Sequence, residues 1–207
     1  MNIKNEEINF DKYLHYNFKI VNIVCTFNIG CDIDCRTIAM RARNTEYNPR
    51  RLPAVIIRFR NPNFTCSLFP KGKIVLLGGK DEWSTFLATK RIKRMIRKCG
   101  YLNAKVLDYK IQNVVATLDF GKRIDLLKLS IILEQTGGCF YEPELFPGLK
   151  MVFFEKEKKH DGKNVSAIIF SSGKINLVGM KSRTNSEEKF YILIDVLKRF
   201  ESFICIK

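Results

Sequence analysis

From Ile20 to Phe27 only Asn22 and Thr26 are polar, which predicts a strand with apolar residues on both of its sides. Ala54 to Arg60 alternates instead, with Val55, Ile57 and Phe59 on one face and Arg58 and Arg60 on the other. Two further strands, Thr65 to Phe69 and Lys73 to Leu77, flank a turn at Pro70-Lys71-Gly72. Between the strands, Asp34 to Arg43 predicts a short helix and Ser84 to Cys99 a longer one. In the longer helix Ala88, Ile92, Met95, Ile96 and Cys99 stack as one apolar stripe, and Gly100 supplies the stop. The order then repeats: strand Ile111 to Thr117, helix Asp125 to Thr136, strands at Met151 to Phe154, Val165 to Phe170 and Lys174 to Val178, and helix Ser186 to Phe200.

The repetition extends to individual residues. Asn22-Ile23-Val24 returns 91 positions later as Asn113-Val114-Val115, and Phe69-Pro70-Lys71-Gly72-Lys73-Ile74 returns 101 positions later as Phe170-Ser171-Ser172-Gly173-Lys174-Ile175. Tyr47-Asn48-Pro49-Arg50-Arg51-Leu52-Pro53 likewise rhymes with Tyr141-Glu142-Pro143-Glu144-Leu145-Phe146-Pro147, a turn expected to end a helix and open a strand. The growing offset places a charged insertion in the second copy, at Glu155 to Asn164. A solenoid needs three or more short repeats, so two long ones predict a domain built from duplicated halves. We expect an N-terminal tail at 1–17, a first repeat at 18–107 and a second at 108–207.

The strands carry a functional consequence. In Lys73 to Leu77, Ile74 and Leu76 point one way while Val75 and Leu77 point the other, yet two helices per half can cover only one side of a sheet. The other side must be covered by a partner, by a second protein layer or by dimerisation.

Charge narrows the partner. The 207 residues carry a formal net charge of +15, and most of it lies in the first half, where 20 basic residues face 8 acidic ones. Such a balance favours a polyanion, since each neutralised phosphate releases counterions. No apolar run approaches membrane-spanning length and the N-terminus does not resemble a signal peptide, so the cytosol or nucleus is expected. Seven scattered cysteines argue against a disulfide framework, and Cys31 and Cys35 lack a second ligand pair, so no metal or other cofactor is expected. Nor is there a Gly-rich phosphate loop, a histidine beside a nucleophile or a carboxylate cluster, and no enzymatic activity is expected.

The segments Arg41-Ala42-Arg43-Asn44-Thr45-Glu46-Tyr47-Asn48-Pro49, Ile111-Gln112-Asn113-Val114-Val115 and Tyr141 to Leu149 resemble the TATA-box-binding protein family of eukaryotes, in its order and spacing. The likeness runs from about Ile20 to about Phe203. It implies an α+β fold, a pseudo-twofold saddle whose curved antiparallel sheet carries its helices on the convex face. It also implies binding in the DNA minor groove with wedge insertion and bending, of which the family is a standard example.

Carried over residue by residue, the resemblance puts Asn22 and Asn113 at the centre of a groove-facing floor, hydrogen-bonding base acceptors. Val24, Val75 and Val115 would favour A·T, whose minor-groove edge lacks the guanine amino group. The wedges fall on Phe69, Phe146 and Phe170, with Leu52 in the fourth position, followed by Pro53 and Pro147. Departures from the family pattern are Leu77 and Val178 in place of threonines, and Asn176 in place of a floor valine. Phosphate contacts are expected from Arg50, Arg51, Arg58, Lys73 and Lys80, with Lys174 and Lys181 as second-half counterparts.

Glu142, Glu144 and Leu145 match the family's contact for transcription factor IIB. Lys90, Arg91, Arg94 and Lys98 match a helix that meets transcription factor IIA and other regulators, TBP-associated factors among the expected partners. The resemblance implies a nuclear general initiation factor that nucleates preinitiation complexes. The alternative is a divergent paralogue acting mainly as a protein-interaction hub. An apolar floor also allows the DNA-free protein to hide it in a homodimer.

Overall fold

The computed structural model describes residues 16–134, 138–153 and 164–206. Most of the expected tail, nearly all of the Glu155 to Asn164 insertion and the last two residues of the Asp125 to Thr136 helix lie outside them. The chain divides into two compact units. One comprises Ile20–Val115 and Met180–Ser186, and the other Met1–Lys19, Ala116–Gly179 and Glu187–Lys207.

The first unit contains strands β1 (Lys19–Asn28), β2 (Thr45–Tyr47), β3 (Val55–Arg60), β4 (Asn63–Leu68) and β5 (Lys73–Gly79). It also contains helices α1 (Cys35–Arg41) and α2 (Glu82–Lys98), and most of β6 (Leu107–Asp119). The second holds α3 (Leu126–Glu134), β7 (Cys139–Phe140), β8 (Gly148–Phe153), β9 (Val165–Phe170), β10 (Lys174–Met180), most of α4 (Arg183–Arg199) and α5 (Glu201–Ile204). The strands hydrogen-bond in the order β2-β3-β4-β5-β1-β6-β10-β9-β8-β7. The fold is α+β with an open antiparallel sheet, as the resemblance implied.

In the first unit one set of alternate strand residues is buried: Ile23, Cys25 and Phe27 on β1, Cys66 and Leu68 on β4, and Ile74 and Leu76 on β5. Ala88, Ile92 and Ile96 of α2 and Cys99, which caps its C-terminus, join this core, on the stripe read from the sequence. Each fully buried Ile or Leu contributes about 1.5–3 kcal/mol relative to exposure. In the second unit Leu126, Leu129 and Leu133 of α3 and Phe190, Leu193, Ile194 and Leu197 of α4 are buried, as are Leu149, Ile169, Ile175 and Leu177 of its strands. Tyr16 stacks on Phe120 with ring centroids 5.9 Å apart, holding the start of the described chain in place.

Caps explain most shifted helix ends. Asp34 lies outside α1 and accepts from the Arg36 N–H at 3.0 Å, and Asp81 accepts from the Ser84 N–H at 2.7 Å, so α2 starts at Glu82. The hydroxyls of Thr37 and Ser84 and the capped amides hold both carboxyls below the ordinary aspartate range. Ser182 accepts from the Asn185 N–H at 3.1 Å, and α4 begins at Arg183 rather than Ser186. Three features were not foreseen, the short α5 among them. β2 and β7 are too short to show alternation, and β7 separates the Tyr141 turn from the preceding helix, so that turn joins two strands.

Candidate nucleic-acid interface

The alternate strand residues opposite the core of the first unit are only half-buried or exposed. Asn22, Val24 and Thr26 stand on β1, Val75 and Leu77 on β5, Thr65 and Ser67 on β4, and Ile56 and Arg58 on β3. Strand register aligns them in rows, Val75 beside both Thr26 and Ser67, and Ser67 beside Ile56. Asn113 and Val115 of β6 are half-buried in the same way. In the second unit the corresponding row is Asn176, Ile168 and Lys150, and the next is Val178, Ser166 and Val152, in which Ser166 is buried.

Hydrogen bonding fixes what part of this face presents. The Asn22 amide oxygen accepts the Gly78 backbone N–H at 2.8 Å. A backbone N–H can only donate, so the oxygen must face it and the Asn22 NH2 is left to donate outward. Gln112 Nε2 donates to the Thr26 hydroxyl at 2.7 Å, which orients that hydroxyl. The residues expected on the floor thus include a fixed donor beside valines.

The four expected wedges come from two kinds of turn, each built twice. The N–H groups of Arg51 and Leu52 both donate to the Asn48 carbonyl, at 3.1 and 3.0 Å, and those of Leu145 and Phe146 both donate to the Glu142 carbonyl at 3.0 Å. Leu52 therefore stands on the same backbone as Phe146. In the other kind of turn Gly72 N–H donates to the Phe69 carbonyl and Gly173 N–H to the Phe170 carbonyl, both at 2.9 Å. Phe69 and Phe170 are half-buried, Phe146 is 47% exposed, and Pro53 and Pro147 are exposed. Phe146 and Phe170 meet edge to face with centroids 6.0 Å apart. Gly148 makes room for that pair, since a Cβ there would come 2.7 Å from Phe146.

Arg50, Arg51, Lys73, Lys80, Lys174 and Lys181 are exposed. Arg58 is exposed too, but it pairs with Glu46 at 2.9 Å, a surface bridge that a phosphate could replace at little cost. On the Tyr141 turn Glu142 and Glu144 are exposed and Leu145 is 81% exposed, so nothing described covers the turn's tip. On α2, Lys90, Arg94 and Lys98 are exposed, with the Lys90 ammonium lying 5.1 Å from the Phe86 ring centre. Arg91 is exposed but engaged by its own chain, donating to the Asn61 carbonyl and lying 5.2 Å from the Phe59 ring centre.

The seven cysteines are free, and among the described residues no group of three or more His, Cys, Asp or Glu side chains could hold a metal ion. Burial pushes the Cys25 thiol up to about 11 despite the Tyr109 hydroxyl beside it, and burial raises Cys66 as well. Neither is a thiolate at neutral pH.

The sequence reading missed Thr26, Ile56, Thr65 and Ser67 on this side of the first unit's strands, and Lys150, Ile168 and the buried Ser166 in the corresponding rows of the second. Two-residue alternation from Val24, Arg58, Phe69 and Phe170 would have found all of them except Lys150.

Residues 17–99 and 108–200, two consecutive blocks, match the family model described as "Transcription factor TFIID (or TATA-binding protein, TBP)". The chain belongs to the TATA-binding protein family. It is 45% identical over 183 residues to the TATA-box-binding protein of Schizosaccharomyces pombe, covering 86% of this chain and 73% of that protein. Against the TATA-box-binding protein of Xenopus tropicalis it is 42% identical over 182 residues, covering 88% of this chain but only 58% of the relative. Methanococcus jannaschii TBP has a similar structure, with a TM-score of 0.69 and 33% identity over 88% of this chain and 98% of that one. The TATA-binding protein family comprises DNA-binding transcription factors, so the resemblance drawn from the motifs holds.

Proposed function

We propose that this chain is a nuclear transcription initiation factor that seats the minor groove of TATA-like promoter DNA on the open faces of its strands and bends it. The observation that carries the reading is the paired set of wedge-bearing turns standing beside rows of valine, hydroxyl and amide side chains. Apolar residues at Val24, Val75, Leu77, Val115 and Val178 leave the guanine amino group without an acceptor, while Asn22 donates to adenine N3 or thymine O2. Leu52, Phe69, Phe146 and Phe170 unstack base steps at a cost of a few kcal/mol each, offset by contact with the bent duplex. The two repeats at 18–107 and 108–207 each supply one set of these parts.

Phosphates are held by Arg50, Arg51, Arg58, Lys73 and Lys80 of the first repeat and by Lys174 and Lys181 of the second. Seven such contacts correspond to a slope of about −6 in log affinity against log salt, and a slope near zero would contradict them. The exposed Glu142, Glu144 and Leu145 receive transcription factor IIB. The α2 face around Lys90, Arg94 and Lys98 receives transcription factor IIA and TBP-associated factors, with Arg91 contributing less because it is held internally.

A second reading, a paralogue acting mainly as an interaction hub, draws on Leu52, Leu77, Asn176 and Val178, where the family pattern is broken. Binding to a TATA duplex and to one interrupted by G·C in both halves, at one salt concentration, separates the two. The initiation-factor reading predicts a ratio above about tenfold, at about 1–3 kcal/mol per mismatched pair. A ratio near one favours the hub.

Leucine fills its wedge position with less volume and no flat ring to lie against an opened base. Leu52→Phe, on the backbone that already carries Phe146 in the other copy, is expected to tighten binding severalfold and increase the bend read by end-to-end fluorescence transfer. Unchanged affinity and unchanged bend would remove Leu52 from the wedge set.

A further inference from the structure

The two copies of the floor differ at one pair of equivalent positions in whether the side chain can accept a hydrogen bond from a base edge. Val75 stands between Thr26 and Ser67, and 101 positions later Asn176 stands beside Ile168. Both side chains are half-buried on the side opposite the core, in the same hairpin geometry and two residues beyond an exposed lysine, Lys73 or Lys174.

The Asn176 amide also differs from that of Asn22. Asn22 is clamped through its oxygen by the Gly78 N–H, which fixes it as a donor. The side-chain amide of Asn176 makes no hydrogen bond among the described residues, so it can turn either way. An amide with its oxygen outward accepts the one minor-groove donor that DNA possesses, the N2 amino group of guanine, and with its nitrogen outward it donates to adenine N3 or thymine O2. Ile168 beside it limits water access to one flank of the amide, which strengthens whichever bond is made. At the equivalent place Val75 itself offers no acceptor, and the nearest hydroxyls, Thr26 and Ser67, stand on the neighbouring strands about 4.8 Å to either side, so a guanine amino group pressed against Val75 meets no acceptor directly in front of it.

We propose that Asn176 makes the second repeat tolerant of a G·C pair at the step it faces, while Val75 keeps the equivalent step in the first repeat restricted to A·T. The preferred site would then be asymmetric, strictly A·T in one half and accepting guanine in the other. This rests on the minor-groove reading above and deepens it.

The test is a scan in which one G·C pair at a time replaces an A·T pair across an otherwise A·T duplex, with affinity read by fluorescence anisotropy at one salt concentration. The expected profile has one half in which G·C costs roughly ten- to a hundredfold throughout, consistent with a typical mismatch. The other half contains a position where it costs less than about threefold. Asn176→Val should raise the penalty at that position about tenfold relative to the variant's own A·T-only duplex, and Val75→Asn should lower the penalty at the equivalent position in the other half. Valine suits a strand at least as well as asparagine, so loss of folding is not the expected outcome. Equal penalties in both halves, or an unchanged profile in Asn176→Val, would overturn the proposal while leaving minor-groove binding intact. Failure of the wild-type protein to bind the A·T-only duplex would instead overturn the reading on which it rests.

Discussion

Phe170→Ala is expected to weaken binding to a TATA duplex about a hundredfold, equivalent to ~2.7 kcal/mol, with little effect on folding. Phe170 is only half-buried, and the core side chains of its strand, Val165, Ala167 and Ile169, point the other way. The stability lost is chiefly the edge-to-face contact with Phe146, about 0.5–1.5 kcal/mol. Binding loses more, because the ring is proposed to hold an unstacked base step open and because Phe146 would lose its support. The expected signature is a large fall in affinity with a reduced bend and a urea midpoint close to that of the unaltered protein. A variant that binds and bends like the parent would remove Phe170 from the interface.

Gly173→Ala is expected to destabilise the fold by about 3–4 kcal/mol, a large effect for a single methyl group. Gly173 has φ +86°, and a Cβ there would lie 2.2 Å from the Lys122 carbonyl oxygen, a backbone atom that cannot swing aside. The contact is tight because Phe120 N–H donates to Gly173 O and Ile124 N–H to Ser171 O, both at 2.9 Å, strapping the turn to the chain after β6. Gly72 repeats the arrangement, with φ +76° and the Cys31 carbonyl oxygen 2.5 Å from a built Cβ. Gly121 is the control: its φ is +78° but nothing lies within 4 Å, so Gly121→Ala should cost only the backbone term, about 1–2 kcal/mol. Equal urea midpoints for Gly173→Ala and Gly121→Ala would show that the strap is not what makes Gly173 costly.

These glycines mark where the fold was legible. The correspondence of Phe69-Pro70-Lys71-Gly72 with Phe170-Ser171-Ser172-Gly173 gave the turn and its duplication, and the period of α2 gave its buried stripe. Strands with apolar residues on both sides pointed to a side that the helices leave open. Parity within the strands was the signal not followed, and counted two residues back from Phe69 and Phe170 it would have put Ser67 and Ile168 on the same side as the residues that were named. Hidden from the sequence were facts set by distant partners. Examples are the Gly78 N–H that turns Asn22 outward, the Asn61 carbonyl that holds Arg91 back, and the two-residue β7, which exists only through its pairing with β8.

The central claim is that DNA is read from its minor groove by a surface offering donors and apolar contact. Replacing every A·T pair of a TATA duplex with I·C tests it most directly. That exchange rewrites the major-groove edge and leaves the minor-groove edge free of the guanine amino group. Affinity for the I·C duplex within about threefold of the A·T duplex is the predicted result. A fall of a hundredfold or more would mean that the other groove is being read.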